Sequence, residues 1–544
     1  MVMERPTAVS ISASAIVIIF LHSVFESSSG FALRAQQFHP YPVPLFHYHI
    51  NVAPPIKERP SSTLLFSNKG VIDIDIEDDT GDEPCLAGDN IVESCDTISS
   101  DVSLVESSGT QSKLSTSINI GKCICGAGSF ALPHVFLNEG VLGGTIAMLI
   151  CGYLAMCTMQ SINHSRSMVI NLENKVPKSY VELAELSLGK YAAKAVFALT
   201  LAASLGVCST YIVFIGQTMA SLSSGENNFF GGVLSNIPND VKSWEIITAA
   251  TVLPLSLIRN YSIFAFTSAL GVSAVVGGMM VTLAYGVWVD PGGGIGGALM
   301  AVERLRMWPD SFENAFGGSF GTIAYLFCIN FLTFPIINSM KDAKNDYDGA
   351  VSYAVAVIWI VNVIFAILCL GFYGNETQDL ILGNLDSGSV YLSALKLLLC
   401  VDLVFTFPIV FSSARQILEN ALLADNGKIM NDNTDVDEDK ATTSIRLALS
   451  RATITGGGVA TCLGLSQLGG FGVVANLVGG VAQGTLAFVL PPAISIALSR
   501  RRRNAEGDHD NNFDVVELPQ WLIGGFGLVV VSSVTYFTLA ESFN

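Results

Sequence analysis

Charged residues are scarce in this chain. Asp, Glu, Lys and Arg make up 14% of its 544 residues, whereas half of the residues are hydrophobic. Soluble globular proteins carry about 25% charged residues. The composition therefore excludes an ordinary soluble domain and indicates a polytopic membrane protein, with the lipid bilayer as a partner.

Several site-forming motifs are also missing. The 11 cysteines include no Cys-x-x-Cys pair, the 7 histidines form no cluster, and no phosphate-binding loop or nucleophile–base pair is recognisable. We therefore expect no metal, no cofactor and no enzymatic activity. The net charge of −18 argues against a nucleic acid partner, and the lack of a filter-like carbonyl repeat disfavours a channel.

The region before the apolar segments has three compositions. Residues 1–30 combine a weakly basic start, an apolar stretch and small residues, which predicts a signal peptide, with a signal anchor as the alternative. Residues 31–70 begin with phenylalanine and are poor in acid. They resemble a plastid transit peptide, with a disordered tail as the alternative. Residues 71–116 are acidic and rich in Ser and Asp, which predicts a disordered linker.

Residues 117–541 alternate apolar runs with short polar loops. A spanning helix needs about 20 apolar residues. The pattern predicts an all-α domain of eleven transmembrane helices, at residues 118–140, 142–161, 193–221, 244–258, 262–289, 316–339, 350–373, 388–414, 446–467, 471–498 and 519–541.

Positive charge in the loops supports this count. If the N-terminal tail lies on the cytosolic (stromal, in a plastid) side, 17 Lys and Arg residues fall in loops on that side and 3 in the opposite loops. The positive-inside rule predicts such a bias. One cytosolic loop also holds a predicted amphipathic helix, because Ser179 and Glu182 fit a capping box and Gly189 fits a helix stop.

An octapeptide in the first span, Gly126 to Pro133, indicates a broken helix. Its two glycines lower the cost of non-helical backbone, and Pro133 lacks an N–H group. At membrane depth, open backbone survives only where it lines a cavity or is buried in protein. A half-helix that begins there presents N–H groups suited to a carboxylate. The alternative is a small-residue packing face.

Five stretches, in order, resemble the amino acid/auxin permease family of the amino acid–polyamine–organocation superfamily. The resemblance covers about residues 118–540 and is carried by GAGSFALPHVFLNEG, SYVELAELSLGKYAAKAVFALTLAASLGVCSTYIVFIGQTM, LPLSLIRNYSIFAFTSALG, FPIINSMKDAKNDY and FPIVFSSARQILEN.

This resemblance implies a LeuT-like fold, in which spans 1–5 and 6–10 form inverted repeats and span 11 is an extra helix. It also implies secondary transport of amino acids, with substrate bound at breaks in spans 1 and 6. The carboxylate-binding residues carried over to this chain are Gly126, Ala127, Gly128 and Ser129.

The sixth span departs from the family pattern. Many members carry an acidic residue followed by glycine at this break, whereas this chain has Cys328 and Ile329, followed by Asn330. The flexible glycine is absent, although Asn330 supplies an amide for hydrogen bonding. This departure sustains an alternative function, an amino acid sensor that binds substrate without transporting it.

A second departure concerns ion coupling. Lys122 corresponds to an asparagine that helps to hold sodium in a related branch, and Thr406 matches the eighth-span threonine of that branch. Asp402 lies one turn before Thr406. Because ionisable residues at membrane depth are usually paired, we expect Lys122 to face Asp402, with the ammonium in the place of sodium. The alternative is that Lys122 snorkels and Asp402 caps a local network.

These observations predict a carrier of amino acids, neutral or aromatic, that is sodium-independent and either proton-coupled or exchanging. The aromatic residues Phe130, Phe331, Tyr211 and Phe405 are candidates for a side-chain pocket, with simple packing as the alternative. Lys396 is expected to snorkel at the outer end of span 8. The expected location is the plastid envelope or another endomembrane reached through the secretory pathway.

Overall fold

The structure, a computed structural model, describes residues 109–223, 240–258, 262–289, 294–311, 319–386, 389–429, 437–506 and 517–543. The predicted signal peptide, the predicted transit peptide and the linker up to residue 108 lie outside the described residues. The described part is mostly helical. A β-bridge between Gln111 and Met340 joins the start of the first helix to the end of another.

The helices are numbered in chain order: α1 (Lys113–Ile124), α2 (Leu132–Glu139), α3 (Val141–Glu173), α4 (Tyr180–Leu188), α5 (Lys190–Ser223), α6 (Val241–Leu257), α7 (Ser262–Val289), α8 (Ile295–Val302), α9 (Phe320–Phe327), α10 (Thr333–Ser339), α11 (Ala343–Tyr373), α12 (Val390–Ile429), α13 (Asp437–Ser466), α14 (Phe471–Leu477), α15 (Leu490–Ala505) and α16 (Leu518–Phe543). We call the end of the bundle where α2 meets α3 its outer end, and the end where α1 begins its inner end.

Side-chain caps start several helices. Ser112, Asp240 and Asp342 each accept a hydrogen bond from the backbone N–H three residues ahead, at the starts of α1, α6 and α11. The cap at Ser112 starts the first helix at Lys113, whereas the sequence pattern placed the start of that span near residue 118 and extended the linker to 116.

The predicted amphipathic helix is confirmed as α4. The Ser179 hydroxyl accepts a hydrogen bond from the Glu182 N–H at 3.2 Å, and the Glu182 carboxylate accepts one from the Lys178 N–H at 2.8 Å. Gly189 ends the helix with φ +93°, a conformation that favours glycine. The capping box was recognisable because all its parts lie within a few residues.

Seven helical stretches among the described residues are long and apolar enough to cross a membrane: Val141–Glu173, Lys190–Ser223, Phe320–Ser339, Ala343–Glu376, Val390–Glu419, Phe471–Ala505 and Leu518–Thr538. The pair Lys113–Ile124 and Ala127–Glu139, bent by 47°, makes an eighth if it is one span. The other three predicted spans fall on α6, α7 and α13, which do not meet the same length and composition test, so the count of eleven stays a prediction.

The backbone of α9 packs closely against the segment that connects α14 to α15. π-Helical turns at Val478–Gln483 and Thr485–Val489 link α14 to α15. Within the first of these turns, Gly479 lies directly against the backbone of Gly321 and Tyr325 in α9. A side chain at position 479 would collide with these backbone atoms, so the close approach of α9 requires glycine there.

Candidate functional site

The first interruption lies between α1 and α2. Gly126 has extended backbone angles (φ −134°, ψ −152°), and a 3₁₀ turn, Ala127–Ala131, leads into α2. A Cβ built on Gly126 would meet no other atom within 4 Å, so the backbone here faces open space. The first N–H groups of a helical segment have no partner within it. The four predicted residues, Gly126 to Ser129, therefore form the start of the second half-helix.

The second interruption lies between α9 and α10. Cys328 and Ile329 leave the helical conformation, and Asn330–Leu332 forms a 3₁₀ turn. Asn330 is fully buried, and its Nδ2 donates to the Thr158 hydroxyl of α3 at 2.9 Å. Its Oδ1 accepts no hydrogen bond within the described part of the chain. At this break, Cys328 and Ile329 thus contribute non-helical backbone, and Asn330 contributes a buried hydrogen-bond acceptor, its Oδ1.

The two interruptions touch each other. A Cβ built on Gly128 would lie 3.2 Å from the Tyr325 ring and 3.3 Å from Leu326, both on α9. The Tyr325 hydroxyl forms a hydrogen bond of 2.7 Å with the Thr210 hydroxyl of α5. Tyr325 therefore ties the second broken helix to α5, beside the first break.

An aromatic cluster surrounds this contact, formed by Phe130, Phe214, Tyr325, Phe365 and Phe471. Its ring centroids lie 6.0 to 6.2 Å apart in edge-on pairs. Edge-on geometry is the favoured arrangement for aromatic rings. Each ring comes from a different helix or turn, so the cluster joins five elements around the broken segments.

Of the four aromatic candidates from the sequence, Phe130 belongs to this cluster. Phe331 packs instead against a separate core that contains Leu486 and Ile494. Tyr211 and Phe405 are half-buried. Phe214, Tyr325, Phe365 and Phe471 were missed, because isolated aromatic residues in apolar helices carry no local signal that separates a site from ordinary packing.

The loop between α11 and α12, residues 374–386, covers the outer side of the breaks. Leu380, Ile381, Leu382 and Leu385 are buried in the same core as Ala127 and Phe130. We call this segment the outer loop. It closes the outer end of the bundle above the 3₁₀ turn at Ala127–Ala131.

Polar contacts fasten the outer loop to the surrounding helices. The Asp379 carboxylate accepts from the Gly472 N–H at 3.1 Å, at the start of α14. The backbone carbonyl of Thr377 lies 3.2 Å from His134 Nδ1 of α2. Lys396 of α12 donates to the Leu385 carbonyl at 2.9 Å.

Lys396 does not snorkel, so that expectation was wrong. Its side chain is fully buried, and its ammonium donates to the Ser221 hydroxyl at 3.1 Å as well as to the outer loop. The two oxygen acceptors compensate for part of the cost of removing the ammonium from water.

The predicted coupling residues occupy the region between α1, α7 and α12. Asp402 is 7% exposed, and its Oδ1 accepts a weak hydrogen bond of 3.4 Å from the Thr406 hydroxyl. Its carboxylate packs directly against Gly271 of α7, which leaves no room for a side chain there. Lys122 is half-buried and near enough for its charge to interact with that of Asp402. The pairing of Lys122 with Asp402 as a functional unit stays a prediction.

Metal ligands are not grouped in the described part of the chain, where no three His, Cys, Asp or Glu side chains could hold a metal ion together. The chemistry of the site is instead that of non-helical backbone at two helix interruptions, one buried amide, a nearby carboxylate and ammonium, and apolar rings.

An apolar, mostly helical chain with several candidate spans and two interrupted helices in contact is a multi-span membrane protein. Residues 109–539 match the family model described as transmembrane amino acid transporter protein. The chain belongs to this family, and the resemblance seen in the sequence is confirmed.

Named relatives come from yeast and plants. The chain is 26% identical to vacuolar amino acid transporter 7 of Saccharomyces cerevisiae over 318 residues, which cover 58% of this chain and 60% of the yeast protein. It is 25% identical over 390 residues to amino acid transporter ANT1 of Arabidopsis thaliana, covering 71% and 85% of the two chains. It is 25% identical over 320 residues to amino acid transporter AVT3B of the same plant, covering 57% and 71%.

A solved structure is also similar. The crystal structure of MhsT in complex with L-phenylalanine aligns with 79% of this chain and 99% of its own, with a TM-score of 0.43 and 14% sequence identity.

Proposed function

We propose that this protein is a secondary transporter that carries amino acids across an endomembrane. The observation that carries the proposal is the direct contact of two interrupted helices, at Gly128 and Tyr325, beside open space at Gly126. Unpaired backbone groups at membrane depth are costly unless they bind something. The family match over residues 109–539 and the names of the relatives support the same activity.

In this proposal, an amino acid lies between the breaks. Its carboxylate binds the N–H groups that begin the half-helix at Ala127 and Gly128, where the helix dipole is positive; the Ser129 N–H donates to the Gly126 carbonyl at 3.1 Å and closes this turn. Its ammonium binds acceptors at the second break, including backbone carbonyls near Cys328 and Ile329. The buried Oδ1 of Asn330 is a further acceptor.

The substrate proposed is neutral, with an apolar or aromatic side chain. The aromatic cluster beside the break contains no charged side chain, and Phe130 within it is fully buried. An apolar surround disfavours a charged substrate side chain because it offers no compensating partner.

For coupling, we propose a sodium-independent cycle, driven by protons or run as an exchange. Lys122 is near enough to Asp402 for their charges to interact, and Thr406 donates a hydrogen bond to Asp402. Lys122 and Thr406 stand at the positions where the resemblance implies sodium ligands. A cation bound between them would meet the repulsion of that ammonium. Asp402 is the carboxylate proposed to exchange a proton.

The architecture proposed for this cycle is eleven spans, ten of them in two inverted repeats of five. The location proposed is an endomembrane, with the plastid envelope as one candidate because of the N-terminal composition. The vacuolar name of the yeast relative is compatible with an endomembrane.

The test is uptake of labelled amino acids into proteoliposomes that hold the full chain, under a sodium gradient, a proton gradient or neither. Proton-driven uptake of neutral amino acids that ignores sodium is the expected result. Sodium-driven uptake would contradict the proposed sodium-independent coupling but would still support an amino acid carrier. Saturable binding without uptake or exchange under any condition would replace the carrier by a sensor, the alternative that the altered break at Cys328–Asn330 sustains.

A further inference from the structure

We propose that Glu139 must bind a proton before the outer end of the bundle can close. This inference rests on the proposed function and adds a regulatory site to it. Glu139 is the last residue of α2, the half-helix that begins at the first break. Its position links the break to the outer surface through a single short helix.

One carboxyl oxygen of Glu139 is buried without a hydrogen-bond partner in the described part of the chain. The residue is 3% exposed, and its Oε1 accepts no hydrogen bond in the described part of the chain. Removing an ionised carboxylate from water without a partner is costly enough that the group takes up a proton instead.

A short segment covers this end of α2. The N–H of Val141 donates to the Arg306 carbonyl at 3.0 Å, and the N–H groups of Leu142 and Gly143 donate to the Met307 carbonyl at 3.0 and 3.1 Å. Pro309 packs against Gly143. We call residues 306–309 the cover. In the proposed gate, this segment keeps water from Glu139 while these hydrogen bonds hold.

Arg306, the cation on the cover, is committed to other partners. Arg306 donates through Nη2 to the carbonyls of Leu137 and Asn138 at 2.7 and 3.0 Å, and its Nη1 pairs with Asp310. It therefore neutralises the end of α2 without bonding Glu139.

Other titratable groups lie on the elements that pack against α2 and on α2 itself. On the segment that holds the cover these are Glu303 and Arg304, both exposed. On α11 they are Cys369 and Tyr373, on α9 Tyr325, which bonds Thr210, and on α2 His134, which lies by Thr377. Within the described residues, none of them forms a hydrogen bond or ion pair with Glu139 that would stabilise its anion.

The consequence is a pH-dependent gate. When the cover lifts, water reaches Glu139 and the carboxyl group releases its proton; when the cover closes, one proton must return to an Oε atom. Each closure thus takes up one proton from the outer compartment, and each opening returns it there. Acid on that side favours closure and speeds the cycle, without net proton transfer through Glu139.

The test compares Glu139→Gln with wild type in amino acid counterflow, with equal pH on both sides of the vesicles. Above the midpoint, wild-type exchange should fall about tenfold for each pH unit, because one proton is required. The glutamine variant, which mimics the protonated form, should lose this proton requirement and fall less steeply with pH, keeping only the dependence that Asp402 contributes. Glu303→Gln, the same change at an exposed site nearby, is the matched control and should behave as wild type.

A second measurement guards against a variant that merely folds poorly. In the infrared difference spectrum between the closed wild-type protein and Glu139→Gln, the band of one protonated carboxylic acid should appear. Counterflow with an unchanged pH profile in Glu139→Gln would overturn the gate and leave the carrier intact. Absence of counterflow in the wild type would instead contradict the proposed function, and the infrared band would still decide whether Glu139 holds a proton.

Discussion

Two glycines at the first break differ in what surrounds them. A side chain on Gly126 would enter open space, and its extended backbone suits any residue, whereas a side chain on Gly128 would press on Tyr325 and Leu326. The two positions are only two residues apart. Comparing substitutions at them therefore separates the effect of packing between the broken helices from the effect of any substitution in this segment.

We predict that Gly128→Val lowers the stability of the protein by about 1–3 kcal/mol, because overpacking displaces the tyrosine ring. Gly126→Ala should leave stability within about 0.5 kcal/mol of wild type. Unfolding monitored in detergent provides the measurement. Equal losses in both variants would show that the contact between the breaks is looser than the structure indicates.

The charged residues between α1 and α12 invite a second test at the same scale. Lys122→Ala and Asp402→Ala should each slow uptake, and the double variant should be little worse than either single one, because removing one partner already disrupts the pair. The expected coupling is about 1–3 kcal/mol in apparent activation free energy.

The control for this cycle combines Asp402→Ala with Lys113→Ala, which changes an exposed lysine at the start of α1. Losses in that pair should add. Additive losses from Lys122→Ala and Asp402→Ala as well would mean that the two residues act separately.

How far the site could be predicted depends on the range of its contacts. Gly126 and Gly128 were found because glycine and proline mark a break within a few residues. The second break has no glycine and was located only by counting back from Pro335. The hydrogen bond between Thr210 and Tyr325 spans 115 residues of sequence. No local pattern encodes such a contact.

Among the larger elements, the outer loop illustrates how a segment without long helices is held in place. Its apolar residues reach the core of the breaks, and its polar residues fasten it to the surrounding helices. Asp379 acts as a cap for α14, although it lies 93 residues before Gly472. Because the cap comes from a distant loop, the stability of the start of α14 depends on the position of the outer loop.

We predict that Asp379→Ala weakens the start of α14 by about 1 kcal/mol, the usual cost of losing a cap. Amide hydrogen exchange at residues 472–475 should become about fivefold faster, since 1.4 kcal/mol corresponds to a factor of ten. Glu376→Ala, an exposed change in the same loop, should leave this exchange unaltered. Unchanged exchange in Asp379→Ala would mean that another group replaces the carboxylate.

Element boundaries follow the same division between local and distant causes. The cap of α4 was predicted because Ser179, Glu182 and Gly189 act within one short segment. The early start of α1 at Lys113 follows from the local cap at Ser112, which the hydropathy pattern overlooked. The π-helical turn at Val478–Gln483, in contrast, lies against a neighbour in space. Gly479 is an example: from the sequence alone, a glycine in an apolar segment is equally compatible with close backbone packing and with a loosely packed helix.

For the whole molecule, the number of spans decides which surfaces share a compartment. An alternating chain with spans at α13, α14–α15 and α16 crosses the membrane three times between residue 429 and the C-terminus. Seven or eight stretches meet the length and composition test. Whether α6, α7 and α13 also cross the membrane is to be decided by experiment.

We predict that a protease site inserted after Ile429 and another added after Asn544 lie on opposite faces of sealed vesicles. Protease added outside should cut one site and spare the other, and detergent should expose both. Cleavage of both sites without detergent would show that they lie on the same face. The chain between them would then not cross the membrane three times, and the proposed inverted repeats would be contradicted.

The junction at Gly140 has a consequence for observing the transport cycle. This glycine alone joins α2 to α3, in a conformation with φ +77° that places its backbone against Met307. Adjacent Cα atoms are about 3.8 Å apart, so the end of α2 cannot shift without carrying the beginning of α3 with it. A fluorescent label at Leu142, which is 45% exposed, would therefore report displacement of the broken helix in real time while leaving the binding residues untouched.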